Sequence, residues 1–518
     1  MFALDARQII GDDLMNPLVA PHLDFLPEDA QGECVFKTSQ SAKWLKHLDP
    51  DLRVQMVFYN LKHYYIYEPV QLKNDEIVIP IFFYMLGSKT LSKCYKPKIK
   101  SKKIPIATNL TYDDPCLQTV PLDDFDLLYS EIVSSDGLRL SKICGDVLFK
   151  QDSEDTIKLP NPWRTKANGR IIRHVPVNMY CDDTSGNKSK KWNKHISYYF
   201  TLSGLPPKIS NQQFNCHFLC TSNIAGALDL GEIVVQQLNE MMNTGYEAYD
   251  MMLSQTVLVM TPMLCLLADS PMHAELTNTP VPGTSLNPCR VCVLSSKSLQ
   301  DKKTLSFLSK FQPNHLRSTE KTIQDSKEVW RYVKENARTI NKEKLDEKSA
   351  EFGIRDQRNR KFAKEIIAFR EKKKALLKDG RELPEDMEQA IPQGVMDLES
   401  KDESQMLSPF LKLKGMCCFD MVKDTPVEIL HVFLLGIVKY LFADFMSGLD
   451  EEQKKELEAL WSSFNTSSLN IPSIRPTSMI LFSDMVLPVF LPQKNLRVIM
   501  VFLEMLQFTP TVTALAKI

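Results

Sequence analysis

Twelve cysteines are few for 518 residues, and most stand far apart. That scarcity argues against a disulfide-framed secreted scaffold and suits reduced thiols in a cytosolic or nuclear compartment. Neither sign of charge is in excess: 63 Lys and Arg face 64 Asp and Glu. A nucleic-acid surface would therefore have to come from local clustering, because the field of the whole chain does not announce one. Long apolar runs are also missing. The two most apolar stretches, Val257 to Ala268 and Ile429 to Phe442, are too short or too interrupted to span a bilayer. The opening MFALDARQIIGDD lacks a basic segment followed by an apolar one, so no secretory leader is expected. These absences predict a soluble intracellular protein with no membrane contact. By length it holds three or four domains, or one fold enlarged by insertions.

What is present centres on Arg173 to Pro206, RHVPVNMYCDDTSGNKSKKWNKHISYYFTLSGLP. Val175, Val177, Met179 and Cys181 alternate with more polar neighbours, which predicts a strand delivering Asp182 and Asp183 at its C-terminal end. Thr184 to Asn187 read as a turn. Lys188, Lys190, Lys191, Lys194 and His195 add basic side chains, and Ile196 to Leu202 is rich in strand formers. Carboxylates and phosphate-seeking cations are thus neighbours, although a solvated hairpin with an acidic corner has the same pattern.

Farther on, Phe214 to Leu219 predicts a third strand and Ile224 to Asp250 carries helical spacing. Val257 to Ala268 reads as a buried strand, with a buried helix as the alternative, and stops at Asp269. Strand, strand, strand, helix, strand is the order of a ribonuclease-H-like α/β fold with a mixed sheet. Its catalytic acids lie at the ends of the first and fourth strands and on a late helix, and the first two places are acidic here. Two Mg²⁺ ions about 4 Å apart need hard oxygen ligands while leaving positions open for water and a phosphate, and Asp182 with Asp269 would supply the bridging half.

The strings YCDDTSGNKSKKWNKHISYYFTLSGLP, CHFLCTSNIAGALDL, LLADSPMHAELTNTPVPGTSLNPCRVC and DTPVEILHVFLLGIVKYLF resemble the transposase-like proteins of fungal genomes. These are similar to the CACTA (En/Spm) transposases of plants and related to the Kyakuja-Dileera-Zisupton group. The resemblance covers about Trp163 to Ile518. It implies a nuclear DDE-class enzyme that cuts and joins DNA with Mg²⁺ or Mn²⁺, acts on element ends and target, and works as a homodimer. It matches the first acid to Asp182, with Asp183 beside it as a cofactor-binding stand-in, and the second to Asp269 in Asp-Ser-Pro. It also implies a Cys-x-x-Cys at Cys289 and Cys292 and a downstream histidine at His431.

Cys289 and Cys292 have zinc-knuckle spacing but supply only half of a tetrahedral site. His431 is the first candidate to complete it, with His315, Cys417 and Cys418 behind, and two buried thiols are the competing reading. For the third acid, Glu428 opens the apolar stretch Val427 to Phe442 and Glu504 lies in a second one; Glu428 is the choice.

The domain expectation is an α+β region of unknown role over 1–130, a ribonuclease-H-like core over 163–296, a charged helical insertion over 297–403 and a helical part over 404–518. In the first region, Ser41 to Tyr67 reads as amphipathic and Glu76 to Met85 as a strand. Lys96 to Lys103 is either a nuclear-import or phosphate-contacting cluster or a solvated loop. In the insertion, Asp356 to Leu377 predicts a helix with a narrow apolar stripe of Phe362, Ile366, Ile367 and Phe369. Its basic face could follow a DNA backbone or be simply solvated. The competing function is a catalytically inactive or repurposed descendant of a transposase, kept for DNA binding or protein interaction.

Overall fold

The structure, a computed structural model, describes residues 2–33, 35–185, 194–281, 285–311, 315–337, 339–378, 400, 403–416, 418–427 and 439–462. It is a mixed α/β protein with several sheets. The chain forms two compact units. The first takes Met1–Leu266 and Leu407–Asp424, and the second Leu267–Met406 and Thr425–Ile518. No helix among the described residues is long and apolar enough to cross a membrane.

The first unit begins with the helix Ala6–Met15 and is then mostly strands: β1 (Met56–Tyr59), β2 (Lys62–Tyr65), β3 (Val70–Leu72), β4 (Ile77–Leu86), β5 (Lys89–Tyr95), β6 (Ile104–Ile106), β7 (Leu117–Pro121), β8 (Phe125–Leu128), β9 (Val147–Lys150) and β10 (Thr156–Lys158). A five-stranded sheet runs β7-β5-β4-β3-β8. The expected strand over Glu76 to Met85 is its centre, β4. Val78 to Tyr84 are buried, which is why IVIPIFFYML reads as an unbroken apolar run instead of an alternation. Val78 and Phe83 enter one cluster and Ile79, Ile81 and Tyr84 another, so the strand is covered on both faces. Its proline, Pro80, falls at a register shift, where a ladder donor is dispensable.

The amphipathic stretch from Ser41 to Tyr67 makes one helical turn, Lys43–His47, and then the β1-β2 hairpin. Pro50 sits between the buried Leu48 and Leu52 and cannot supply the N–H that a continuing helix would need.

The later strands of this unit are β11 (Ile172–His174), β12 (Val177–Ser185), β13 (Lys194–Leu202), β14 (His217–Ser222), β15 (Tyr246–Asp250), β16 (Gln255–Met260) and β17 (Met263–Leu267). Four of them form a sheet in the order β14-β13-β12-β17. β12 and β13 are antiparallel from Val177 opposite Leu202 to Ser185 opposite Lys194. β14 is antiparallel to β13, with a register shift between Tyr198 and Tyr199. β11 runs parallel to β16, and the amides of Val175 and Val177 continue that sense by donating to the carbonyls of Met260 and Pro262.

The helix Ala227–Asn243 lies between β14 and β15 in sequence and buries Leu228, Val234, Leu238 and Met241. With Ala6 and Ile10 it encloses Val177, Met179, Phe200 and Leu219 of the sheet. The helical pattern expected to run to Asp250 stops earlier. Gly245 turns the chain at φ +68°, where a Cβ would lie 2.9 Å from the Val259 carbonyl oxygen, and Tyr246 then enters β15. The run expected as one strand over Val257 to Ala268 is two, β16 and β17, parted by Thr261-Pro262. The strand expected from Phe214 starts at His217, after a short helical turn at Gln213–Asn215.

The second unit is helical where charge dominates the sequence, with helices at Ser270–Leu276, Thr319–Glu335, Lys342–Phe352 and Gln357–Lys378. Val329, Trp330, Val333, Ile340, Leu345 and Ile366 share one core. Phe362 and Ile367 of the expected stripe pack against it half-buried. Helices so rich in Lys and Glu gain their stability from this narrow seam, not from their solvated faces.

Candidate functional site

Strand alternation sorts the acid pair. Val177, Met179 and Cys181 are buried on the helix side of the sheet, so Asn178, Tyr180 and Asp182 belong to the opposite face. Asp182 stands opposite Ser197 and Asp183 opposite Ile196. The expected turn at Thr184 is still strand, and β12 continues to Ser185. Two adjacent strand residues cannot present both carboxylates to one ion from the same face, so Asp183 is not interchangeable with Asp182.

Asp182 is held on both oxygens. The Tyr180 hydroxyl donates to Oδ2 at 2.6 Å, and the Asp183 amide donates to Oδ1 at 2.7 Å. Each oxygen keeps a second lone pair, so these bonds orient the carboxylate without using up its capacity to accept a hard cation. Lys188, Lys190 and Lys191 lie outside the described residues. Lys194 opens β13 opposite Ser185.

The same face carries a feature that sequence reasoning missed. Tyr180, Tyr199 and Phe218 form a row across β12, β13 and β14, with ring centroids 6.4 and 5.6 Å apart. Its signal was present in YCDD and ISYYF, where period-2 alternation puts one tyrosine of each strand on the acid's face, but only the register aligns the rings. Asn178, beside them, accepts from Ser203 Oγ at 2.9 Å and from Cys265 Sγ at 3.2 Å. Burial pushes the Cys265 thiol up to about 12, so it stays a protonated donor.

Asp269 belongs to the second unit, whereas Asp182 belongs to the first. It is the N-cap of the helix Ser270–Leu276: its Oδ1 accepts from the Met272 amide at 2.7 Å, and Pro271 follows in the first turn. Asp-Ser-Pro is therefore also a helix-start signal in its own right. Another acid escaped sequence reasoning. Asp424, in the first unit, takes the Leu266 amide of β17 on its carbonyl at 2.7 Å. Its carboxylate, only 2% exposed, pairs with Lys43 Nζ at 2.7 Å and accepts the Asp420 amide. Burial raises its pKa, with Lys43 opposing. Glu428 and His431 lie outside the described residues, as do Cys417 and Glu504.

Cys289 and Cys292 are brought together. The Cys292 amide donates to Cys289 Sγ at 3.3 Å, closing the Cys-x-x-Cys into a tight turn. Arg317 clamps that turn from behind, its Nε donating to the carbonyls of both cysteines at 3.1 Å and its Nη1 to the Gly353 carbonyl at 2.8 Å. The backbone of His315 and Arg317 pairs with Val293 and Val291 alongside. Burial raises the Cys292 thiol. Among the described residues, no group of three or more His, Cys, Asp and Glu side chains is arranged to hold a metal ion. Cys418 lies in the first unit, so it is not part of this turn's unit. Between the cysteines, Arg290 is buried and bonded to Thr425.

Residues 56–173 match a family described as a domain of unknown function (DUF8591). No curated protein matches the chain.

Proposed function

We propose that this chain is a transposase-like DNA-binding protein of the DDE class, nuclear and homodimeric on DNA, built on a ribonuclease-H-like core. One observation carries the reading: the sheet order β14-β13-β12-β17, with the helix Ala227–Asn243 between its third and fourth members in sequence and Asp182 near the end of its first. That order is compatible with such a core, and an oriented, half-exposed carboxylate like that of Asp182 suits a hard cation. Asp182, Asp269 and Glu428 would hold Mg²⁺ or Mn²⁺, which when bound supplies charge stabilisation for the attacking and leaving oxygens at a phosphate. Asp182 is kept in place by Tyr180, and Asp183 is left to the other face. Cys289 and Cys292, with His431, would hold a structural zinc ion, a reading supported by the tight turn that the Cys292 amide closes on the Cys289 sulfur.

A second reading, an inactive or repurposed descendant, is favoured by one fact: the cap of the helix Ser270–Leu276 accounts for Asp269 without any chemistry. Asp269→Asn separates the two, because Asn caps a helix about as well as Asp but carries no charge for a metal. Cleavage of element-end DNA with Mg²⁺ or Mn²⁺ by the unaltered chain, lost in Asp182→Asn and in Asp269→Asn while gel-shift binding persists, supports the enzyme. Binding without cleavage by the unaltered chain supports the repurposed protein, and neither binding nor cleavage sinks both.

A further inference from the structure

The first unit contains a cavity of about 640 Å³, walled by segments at Pro50–Gln55, Ala107–Thr111, Lys150–Lys166 and the end of the Ala227–Asn243 helix. Arg53, Lys150, Lys158 and Lys166 line it, against Asp51 as the one carboxylate. Apolar walls come from Tyr67, Leu110, Ile157, Trp163 and Met242. Most of this lining falls within the stretch matched by the domain of unknown function.

Arg53 is the anomaly. Its guanidinium stacks on Phe82, 3.9 Å from the ring centre, and its Nε donates to the Leu48 carbonyl at 3.0 Å. Its Nη1 is buried with no hydrogen-bond partner. Burial lowers its pKa, with Tyr67 and Asp49 opposing. Nearby Arg164 has the same construction, stacked on Tyr65 at 4.3 Å, but Glu68 meets it at 2.6 Å. Arg53 forms no ion pair like that of Arg164 with Glu68, and its guanidinium, held flat by an aromatic ring in the cavity wall, can offer its accessible edge, not the enclosed Nη1, to an oxyanion. The other cations differ in availability. Lys150 has Asp155 at 3.5 Å, and Lys166 lies over Trp163 and donates to the Asn243 carbonyl, whereas Lys158 is exposed at the end of β10.

We propose that this cavity binds a small phosphomonoester with a flat or apolar body, of nucleoside monophosphate size, with its phosphate on Arg53 and Lys158 and its body against the Trp163 side. A volume of several hundred Å³ exceeds what a bare phosphate needs and suits a ligand of that size. Several cations lining one cavity favour a doubly charged phosphate over a carboxylate. Binding here is independent of DNA cleavage, so it can succeed or fail separately from the transposase reading.

The test is isothermal titration of the full chain with inorganic phosphate, adenosine 5′-monophosphate and adenosine. The monophosphate should bind saturably, phosphate more weakly, and adenosine not at all. Arg53→Met and Lys158→Glu should each weaken the monophosphate by at least about tenfold. Lys98→Glu, exposed and outside the cavity, should leave it unchanged. If Arg53→Met fails to fold by circular dichroism, Lys158→Glu and the fork-removing Arg53→Lys decide. Absence of saturable binding, adenosine binding as tightly as its phosphate, or affinity untouched in the folded cavity variants would overturn the proposal. A 5′-phosphorylated oligonucleotide that binds through Arg53 when the mononucleotide does not would assign the phosphate to a DNA end, and overturn the small-ligand assignment.

Discussion

Arg290, between the two cysteines of NPCRVC, reaches Thr425 of DTPVEILH with both ends of its guanidinium: Nη1 donates to the hydroxyl and Nη2 to the carbonyl at 2.9 Å. Two residues 135 positions apart, both in the second unit, are thereby fastened together. Burial lowers the Arg290 pKa to about 10, which still leaves it charged at neutral pH. Arg290→Met should cost about 2–3 kcal/mol of stability, since it strands a buried carbonyl and removes charge-assisted bonds. Thr425→Val, which keeps the carbonyl bond, should cost about 1 kcal/mol. Urea midpoints of the two variants check the order, and equal midpoints would show that the fastening has no energetic weight.

Asp356 should make stability fall as pH rises. It caps the helix Gln357–Lys378, its Oδ1 accepting the amides of Arg358 and Asn359. Burial nonetheless raises its pKa to about 7, with those bonds opposing. An unfolded Asp titrates near about 3.9. Between those values the folded state holds the extra proton, so stability declines from about pH 4 to about pH 7 and then levels off. Asp356→Asn keeps the cap and removes the titration. It should gain stability over the unaltered chain at pH 8, with the gain shrinking toward pH 5; a gain independent of pH would contradict the assignment.

Tyr180→Phe deletes the hydroxyl that orients Asp182 and leaves the ring in its row. If Asp182 holds a catalytic metal, the Mg²⁺ concentration for half-maximal DNA nicking should rise about tenfold, as for other outer-shell partners. The fold should be unaffected. An unchanged Mg²⁺ dependence would mean that Tyr180 does not serve the acid.

Replacing Lys188, Lys190, Lys191 and Lys194 with Ala should weaken DNA binding and flatten its logarithmic salt dependence by about 0.9 units of slope for each phosphate no longer neutralised. Asp182→Asn should leave that slope in place. A gel-shift series over several salt concentrations separates the two, and an unaltered slope in the lysine variant would remove this segment from the DNA surface.

Local pattern carried much of the architecture. The mixed α/β class, the strand over Glu76 to Met85 and the helix over Asp356 to Leu377 were legible because period-2 and period-3.6 alternation are written in neighbouring residues. Element ends were less so. Gly245 and Pro262 cut the expected helix and strand because one favours a left-handed turn and the other lacks an N–H, effects that a hydrophobic count does not weigh.

The candidate sites divide along the same line. The acid at Asp182, the cysteine spacing and the basic cluster are chain-local facts, and sequence by itself determined them. Which face Asp182 occupies, that Tyr180 holds it and that Tyr199 and Phe218 line up beside it were decided by strand register, because a one-residue slip exchanges every side chain between the two faces. Tertiary structure alone buried Asp424 against Lys43 and left Arg53 without an ion pair like the one Arg164 has. Those outcomes depend on segments dozens to hundreds of residues apart closing on one another, and their energies come from desolvation, which no short stretch of sequence encodes.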